Sequence, residues 1–224
     1  MPAAPTTLVL VRHGVTEHTT QRRFSGGLTS SDPPLADEGR EQIRAVGEWL
    51  APSAERVDAI VTSPVRRARE SAAVLGEVLG REVDEEPGFA EMEFGAWDGR
   101  TFSEVAEEQG DALEAWLGSL DVAPGGTGES FRTVQERVLG ALERVLADHA
   151  GRTVVVTSHV TPIKVLVAHV LDAPLLSIFR MELVPASVTV LTFHPEDEPG
   201  PRSSLRLFNA VAPDRAVLRD PQRW

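Results

Sequence analysis

The stretch that decides the fold is TTLVLV at Thr6–Val11, which is followed directly by Arg12 and His13. A continuous run of β-branched and apolar residues without alternation is typical of a strand buried on both faces of a parallel sheet. Two further runs have the same character, DAIVT at Asp58–Thr62 and TVVVT at Thr153–Thr157. The sequence therefore predicts three buried strands of a mostly parallel sheet.

Amphipathic helical patterns lie between these strands. Apolar residues recur at helical spacing from Asp37 to Leu50 and again from Ser130 to His149. The dipeptide Ser63-Pro64 predicts a helix start, with serine as the N-cap and proline at the first helical position. Buried strands that alternate with such helices predict an α/β fold, a three-layer sandwich with helices on both faces of a mostly parallel central sheet.

The C-terminal region has a different pattern. Two strands are predicted at Ala186–His194 and Ser204–Asn209, on either side of a turn at Pro195–Pro201 that is rich in proline, glycine and acidic residues. This pair predicts one antiparallel edge of the sheet and offers a contact for a homodimer. We expect residues 1–224 to form a single domain, with residues 212–224 as a loosely ordered tail.

Composition excludes several classes of protein. The 224 residues include 34 acidic and 22 basic side chains, a formal net charge of −12, which argues against a nucleic-acid partner. The chain contains no cysteine, so thiolate catalysis, zinc–thiolate sites and iron–sulfur clusters are excluded. It has neither a signal-peptide pattern at its N-terminus nor an apolar run long enough to cross a membrane. We expect a cytoplasmic protein without a membrane partner.

Positively charged or imidazole side chains follow each of the three predicted parallel strands. Arg12 and His13 follow the first strand, Arg67 lies shortly after the second, and His159 follows the third. Ligands of open α/β sheets bind outside the carboxyl ends of the strands, so these groups are expected to converge there. Each alone is more typical of a solvated loop or a hydrogen-bonded side chain, but together they predict a pocket for a phosphoryl group.

Hydrolysis of a phosphate ester also needs a nucleophile and a proton donor. An imidazole among arginines stays neutral, so one ring nitrogen is available as a nucleophile. The segment FAEMEFGAWDG at Phe89–Gly99 supplies three carboxyl groups that could protonate the leaving oxygen, those of Glu91, Glu93 and Asp98. These residues alone do not decide which of the three is the donor.

The sequence LVRHG at Leu10–Gly14 resembles the signature of the histidine phosphatase superfamily, phosphoglycerate-mutase-like branch. Further motifs resemble the same family, in the same order along the chain: Pro34-Leu35 with Gly39 and Gln42, TSPVRRARESA at Thr62–Ala72, FAEMEFGAWDG, PGGTGES at Pro124–Ser130, and VVVTSHVTPIK at Val154–Lys164. The HVTPIK form is most similar to actinobacterial phosphatases of broad specificity and to α-ribazole-phosphatase-like enzymes.

The resemblance implies a mechanism. His13 would be the nucleophile that becomes a phosphohistidine, which water then hydrolyses. Arg12, Arg67 and His159 would hold the phosphate oxygens, and Glu91 would act as general acid and later as general base. The implied substrate is a small phosphorylated metabolite, and neither a metal nor any other cofactor is expected.

Three departures from the family pattern lie around the implied site. Thr19 stands where the family commonly has a phosphate-binding asparagine, and its hydroxyl is expected to take that role. Arg23, Ser25 and Gly26 stand in the segment where the family reads RxQG, and they are expected to contact the substrate. Val160 replaces a glycine after the second histidine, and its backbone N–H is expected to donate to phosphate.

Two other functions fit the same residues. A phosphoglycerate mutase of this family would transfer the phosphoryl group instead of releasing it, but the segment between Gly99 and Pro124 is short and acidic and would repel a second anionic group. A non-catalytic phospholigand-binding protein would not need a nucleophile or an acid, and both are present here. A phosphatase is therefore the leading hypothesis.

Overall fold

A computed structural model describes residues 4–195 and 202–213. The strands are β1 Thr6–Arg12, β2 Ala59–Thr62, β3 Val83–Glu85, β4 Thr153–Ser158, β5 Val188–Phe193 and β6 Ser203–Ala210. Within the described residues they form one sheet in the order β3-β2-β4-β1-β5-β6. Strands β1 to β4 pair in parallel, whereas β5 and β6 are antiparallel. The predicted mostly parallel sheet with one antiparallel edge is confirmed.

Helices connect the strands and cover the sheet. The α-helices are α1 Glu17–Thr20, α2 Asp37–Leu50, α3 Arg66–Leu79, α4 Phe102–Leu117, α5 Phe131–Asp148 and α6 Val160–Val170. Short 3-10 helices lie at Ala51–Arg56, Pro87–Phe89, Gly95–Trp97, Pro124–Gly126 and Leu175–Arg180. None of the helices in the described ranges is long and apolar enough to span a bilayer.

The alternation of side chains along β1 divides the core into two layers. Leu8 and Leu10 point into a buried cluster that includes apolar residues of α5 and α6. Val9 and Val11 point into a second cluster, with residues of α2 and α3. Because successive side chains of a strand point to opposite faces, the central strand is buried on both sides. The predicted three-layer sandwich is therefore present.

Two details of the sequence prediction were wrong. Helix α3 begins at Arg66, with Val65 as its N-cap residue, and not at Ser63-Pro64. The backbone N–H of Arg66 donates to the carboxylate of Asp32, so a distant loop supplies the cap that was assigned to serine. The sequence prediction also missed β3, a three-residue strand that is mostly exposed.

The two C-terminal strands were predicted, and their observed bounds differ from the prediction by one or two residues. Strand β6 lies at the edge of the sheet, where the homodimer contact stays a prediction. The predicted turn lies mostly outside the described residues, as does the predicted tail apart from Ala212 and Pro213.

Candidate active site

The strand registers bring three chain segments to the same edge of the sheet. Arg12 pairs with Ser158 between β1 and β4, and Thr62 pairs with Thr157 between β2 and β4. Because these strands are parallel, the residues that follow them leave the sheet together. The observed register therefore produces the convergence that the sequence predicted.

His13 lies at the centre of this edge and is almost completely buried. Its Nδ1 lies 2.8 Å from the carbonyl oxygen of Gly14, and its Nε2 lies 3.2 Å from Nε of Arg67. Since an arginine only donates, Nε2 must accept, and Nδ1 carries the ring hydrogen. Burial lowers the pKa of His13 well below its ordinary value, and the charges of Arg67 and Arg12 lower it further. The imidazole of His13 is thus kept neutral, and Nε2 keeps its lone pair.

Two guanidinium groups flank this imidazole, that of the buried Arg67 and that of the half-buried Arg12. Nη2 of Arg67 donates to the carbonyl oxygens of Ser25 and Gly26, both at 3.0 Å. Nη1 of Arg12 donates to the carbonyl oxygen of Leu183. Burial lowers the pKa of Arg67, and it lowers the pKa of Arg12 to about 10. Both groups keep their positive charge at neutral pH although they are withdrawn from water.

His159 is the N-cap residue of α6 and is fully buried beside His13. The two ring centroids lie 5.1 Å apart, and Nε2 of His159 lies 2.8 Å from Oγ of Ser63. Burial lowers the pKa of His159 well below its ordinary value, and the charge of Arg67 adds to this effect. Val160 opens α6, where the first backbone N–H groups have no acceptor within the helix.

Several of these polar atoms have no partner although they are buried. In the part of the chain that the structure describes, Nε of Arg12, Nη1 of Arg67, Nδ1 of His159 and Oγ of Ser25 form no hydrogen bond. An unsatisfied buried polar group costs about 1–3 kcal/mol, more when it is charged. Arg12, Ser25 and Arg67 line a cavity of about 490 Å³ together with His13, and His159 packs against His13. An anion with several oxygens would satisfy them.

The acid-loop segment Phe89–Gly99 places its three carboxyl groups differently. Glu91 is buried in the wall of the cavity, and its Oε1 accepts from the backbone N–H of Met92 at 2.9 Å and of Thr161 at 3.3 Å. Glu93 and Asp98 do not line the cavity and bind a neighbouring loop instead. Among the three candidates, Glu91 alone lines the cavity.

Comparison with known proteins agrees with this geometry. The model of the histidine phosphatase superfamily (branch 1) matches residues 8–200. The chain belongs to this superfamily. A phosphoserine phosphatase 1 from Hydrogenobacter thermophilus is 32% identical over 184 residues, which cover 82% of this chain and 85% of that protein. The solved structure of a mycobacterial glucosyl-3-phosphoglycerate phosphatase with VO3 has a TM-score of 0.80 and 31% identity, covering 91% of this chain and 99% of that one.

A longer relative also carries this histidine phosphatase sequence. A bifunctional protein of Mycobacterium tuberculosis is 38% identical over 205 residues, or 92% of this chain but 54% of that protein. The chain thus spans about half the length of this relative. Membership of the superfamily, together with the relatives that are phosphatases, supports a hydrolase.

The loop residues that depart from the family pattern have mixed positions. Thr19 lines the cavity, but its Oγ lies 3.0 Å from Oγ of Thr16, with which it forms a capping box. Arg23 also lines the cavity, and its Nη1 donates to the carbonyl oxygen of Gly99 at 2.7 Å. Ser25 and Gly26 contact Arg67 through their carbonyl oxygens. A role in phosphate or substrate binding stays a prediction for all four residues.

Sequence reasoning missed two residues of this histidine phosphatase site. Ser63 was assigned to a helix cap, but its hydroxyl contacts His159. Lys164 lines the cavity and is 3% exposed, and burial lowers its pKa to about 7. The sequence could have indicated Lys164, because it lies four residues after Val160 and therefore on the same face of α6.

Proposed function

We propose that this chain is a metal-independent phosphomonoesterase that acts through a phosphohistidine at Nε2 of His13. The observation that carries this proposal is the group of unpartnered buried donors around a neutral, correctly oriented imidazole. Guanidinium and imidazole donors match the oxygens of a phosphoryl group, and no compensating carboxylate occupies their free atoms.

In the first step, the lone pair of Nε2 of His13 forms a bond to phosphorus while the bond from phosphorus to the ester oxygen breaks. Nη1 of Arg67 and Nε of Arg12 stabilise the negative charge on the phosphoryl oxygens. Nδ1 of His159 is the unpartnered nitrogen of the second imidazole, and a bound dianion would oppose the burial and the positive charges that lower the pKa of this ring. The carboxyl group of Glu91 gives its proton to the departing alkoxide.

In the second step, the Glu91 carboxylate takes a proton from a water molecule that attacks phosphorus. The bond from phosphorus to Nε2 breaks, inorganic phosphate forms, and the imidazole regains its lone pair. The hydrogen bond from Nδ1 of His13 to Gly14 keeps the same ring nitrogen directed at phosphorus in both steps. The overall reaction consumes one water and needs no metal.

The proposed substrate is a small phosphorylated metabolite. The cavity of about 490 Å³ extends beyond the phosphate group toward residues such as Phe94, Phe102 and Met181, so it has room for the alcohol part of an ester. Two relatives are named as phosphatases of phosphoserine and of glucosyl-3-phosphoglycerate, so these two esters are the first substrates to assay.

A colorimetric assay tests the proposal. We expect hydrolysis of p-nitrophenyl phosphate that EDTA leaves unchanged and vanadate abolishes, together with an acid-labile phosphohistidine in rapidly quenched enzyme. Turnover that EDTA abolishes would contradict it. Transfer between phosphoglycerate isomers with little free phosphate would instead identify a mutase, and phosphate binding without turnover would identify a binding protein.

A further inference from the structure

The two acid-loop carboxylates that lie outside the cavity hold one loop, Gly26–Ser31. Asp98 accepts hydrogen bonds from the backbone N–H of Gly26 and from both the backbone and the hydroxyl of Ser31, at 2.6 to 2.8 Å. Glu93 accepts from the backbone N–H of Thr29 at 2.9 Å and from the hydroxyl of Ser30 at 2.7 Å. The loop is thus fixed near both of its ends and in the middle.

The ionisation of Glu93 agrees with this role. Burial alone raises its pKa, but the hydrogen bonds from Ser30 and Thr29 outweigh burial and hold the pKa below its ordinary value. Glu93 therefore stays charged at neutral pH and cannot serve as a proton donor there. A charged acceptor makes stronger hydrogen bonds to backbone N–H groups than a neutral one.

The held loop in turn orients Arg67. Nη2 of Arg67 donates to the carbonyl oxygens of Ser25 and Gly26, and the backbone N–H of Gly26 is bound by Asp98. With Nη2 occupied in this way, Nε of Arg67 donates to Nε2 of His13, and Nη1 is the one guanidinium nitrogen without a hydrogen-bond partner among the described residues. The two carbonyl acceptors of Ser25 and Gly26 therefore fix the guanidinium in the orientation that brings Nε to the imidazole.

Close backbone packing leaves the loop little freedom. A Cβ atom at Gly27 would lie 2.5 Å from the carbonyl oxygen of Glu91 and 2.9 Å from Oε1 of Glu93. The loop therefore packs directly on the backbone of the proposed general acid. One short segment thus contacts both the guanidinium of Arg67 and the backbone of Glu91.

We propose that Glu93 and Asp98 are positioning residues that act through the Gly26–Ser31 loop to aim the guanidinium of Arg67 at the phosphoryl group. This inference rests on the proposed function, because it assigns the loop to a site for phosphate. The carboxylates contact neither substrate nor reacting atoms. Their loss weakens the binding of a phosphoryl-like anion only while Arg67 is present.

A double-mutant cycle tests this dependence. The dissociation constant for orthovanadate is measured by calorimetry for wild type, Asp98→Asn, Arg67→Met and the double variant. We expect Asp98→Asn to weaken binding about tenfold, because the new amide donor opposes the donors of Ser31. Arg67→Met should weaken binding about 10²-fold. In the Arg67→Met background, the further effect of Asp98→Asn should fall below about twofold, since coupled residues are not additive.

The conservative variant Glu93→Gln repeats the cycle and keeps the test decisive if Asp98→Asn does not fold. Asp121→Asn is a matched control, because its carboxylate pairs with Arg132 on the surface and lies outside the cavity wall. This control should bind vanadate like the wild type. As a further readout, Asp98→Asn and Glu93→Gln should each lower turnover of alkyl and aryl phosphates by the same factor, since neither residue gives a proton to the leaving group.

The possible failures are distinct. If wild type binds vanadate and hydrolyses p-nitrophenyl phosphate but the effects of Asp98→Asn and Arg67→Met simply add, the positioning role is wrong and the phosphatase stands. If wild type neither binds vanadate nor hydrolyses the ester, the proposed function is wrong and this inference is wrong with it.

Discussion

Two walls of the cavity come from different parts of the chain, one from the segments at the ends of the parallel strands and one from α1 and the loop that follows it. The sheet wall consists of Arg12, His13 and Arg67, with His159 buried directly beside His13, and its side chains carry the charge and the lone pair. The loop wall consists of Thr19, Arg23 and Ser25, and in it the Thr19 hydroxyl, the Arg23 guanidinium and the Ser25 carbonyl are already engaged within the protein. The two walls therefore differ in what they offer a ligand: the sheet wall has buried donor atoms without partners, whereas most polar groups of the loop wall are already hydrogen-bonded.

Replacement of the nucleophile should have the largest effect. We expect His13→Ala to lower kcat by about 10⁴-fold or more, because no other buried group in the sheet wall has a free lone pair in this position. The measurement is turnover of p-nitrophenyl phosphate by freshly purified variant. His169→Ala, at an exposed position near the end of α6, serves as the control and should keep full activity. A few per cent of residual turnover would place the nucleophile elsewhere.

The general acid should give a smaller loss that depends on the substrate. Glu91→Gln is expected to lower turnover of alkyl phosphates by about 10²-fold and of aryl phosphates by less than about tenfold, because an aryl oxide needs little protonation. Paired assays of one alkyl and one aryl ester measure this ratio. Equal losses for both esters would remove the acid role from Glu91.

Lys164 also lines the cavity, and its burial should make the stability of the protein depend on pH. Burial lowers its pKa from 10.5 to about 7, so between these values the unfolded chain holds more protons than the folded one. The contribution of Lys164 to the free energy of unfolding therefore rises with pH, by about 2 kcal/mol from pH 7 to pH 9. Lys164→Met should lose this rise, which urea denaturation at pH 7, 8 and 9 would show. Parallel pH profiles for wild type and variant would contradict the assignment.

The smallest effect is expected at the loop wall. Because the hydroxyl of Thr19 is engaged with Thr16, Thr19→Val should change kcat/KM for an aryl phosphate by no more than about threefold, the range of an ordinary surface substitution. A loss of tenfold or more would show that this hydroxyl binds phosphate, as the family resemblance implies. Loop-wall side chains would then matter as much as those of the sheet wall.

Much of the fold was predictable because its signals are local. The apolar run at Thr6–Val11 predicted the central strand, and the helical spacing from Asp37 to Leu50 predicted α2 with its observed bounds. The start of α3 was not predictable in this way. Its capping carboxylate, Asp32, lies 34 residues before Arg66 in the chain, and local sequence patterns carry no information about such a partner.

The sequence by itself determined which residue types follow the buried strands, and hence that arginines and histidines gather at one edge of the sheet. The residue types alone left the three acid-loop carboxylates equivalent, since all three lie within eight residues of one another, and the family resemblance implied Glu91. Tertiary structure gave the physical basis for separating them, because Glu91 lines the cavity while Glu93 and Asp98 bind the backbone of a loop more than 60 residues earlier. The physical reason is that chemical role depends on burial and on the partner of each oxygen, and both are set by long-range packing.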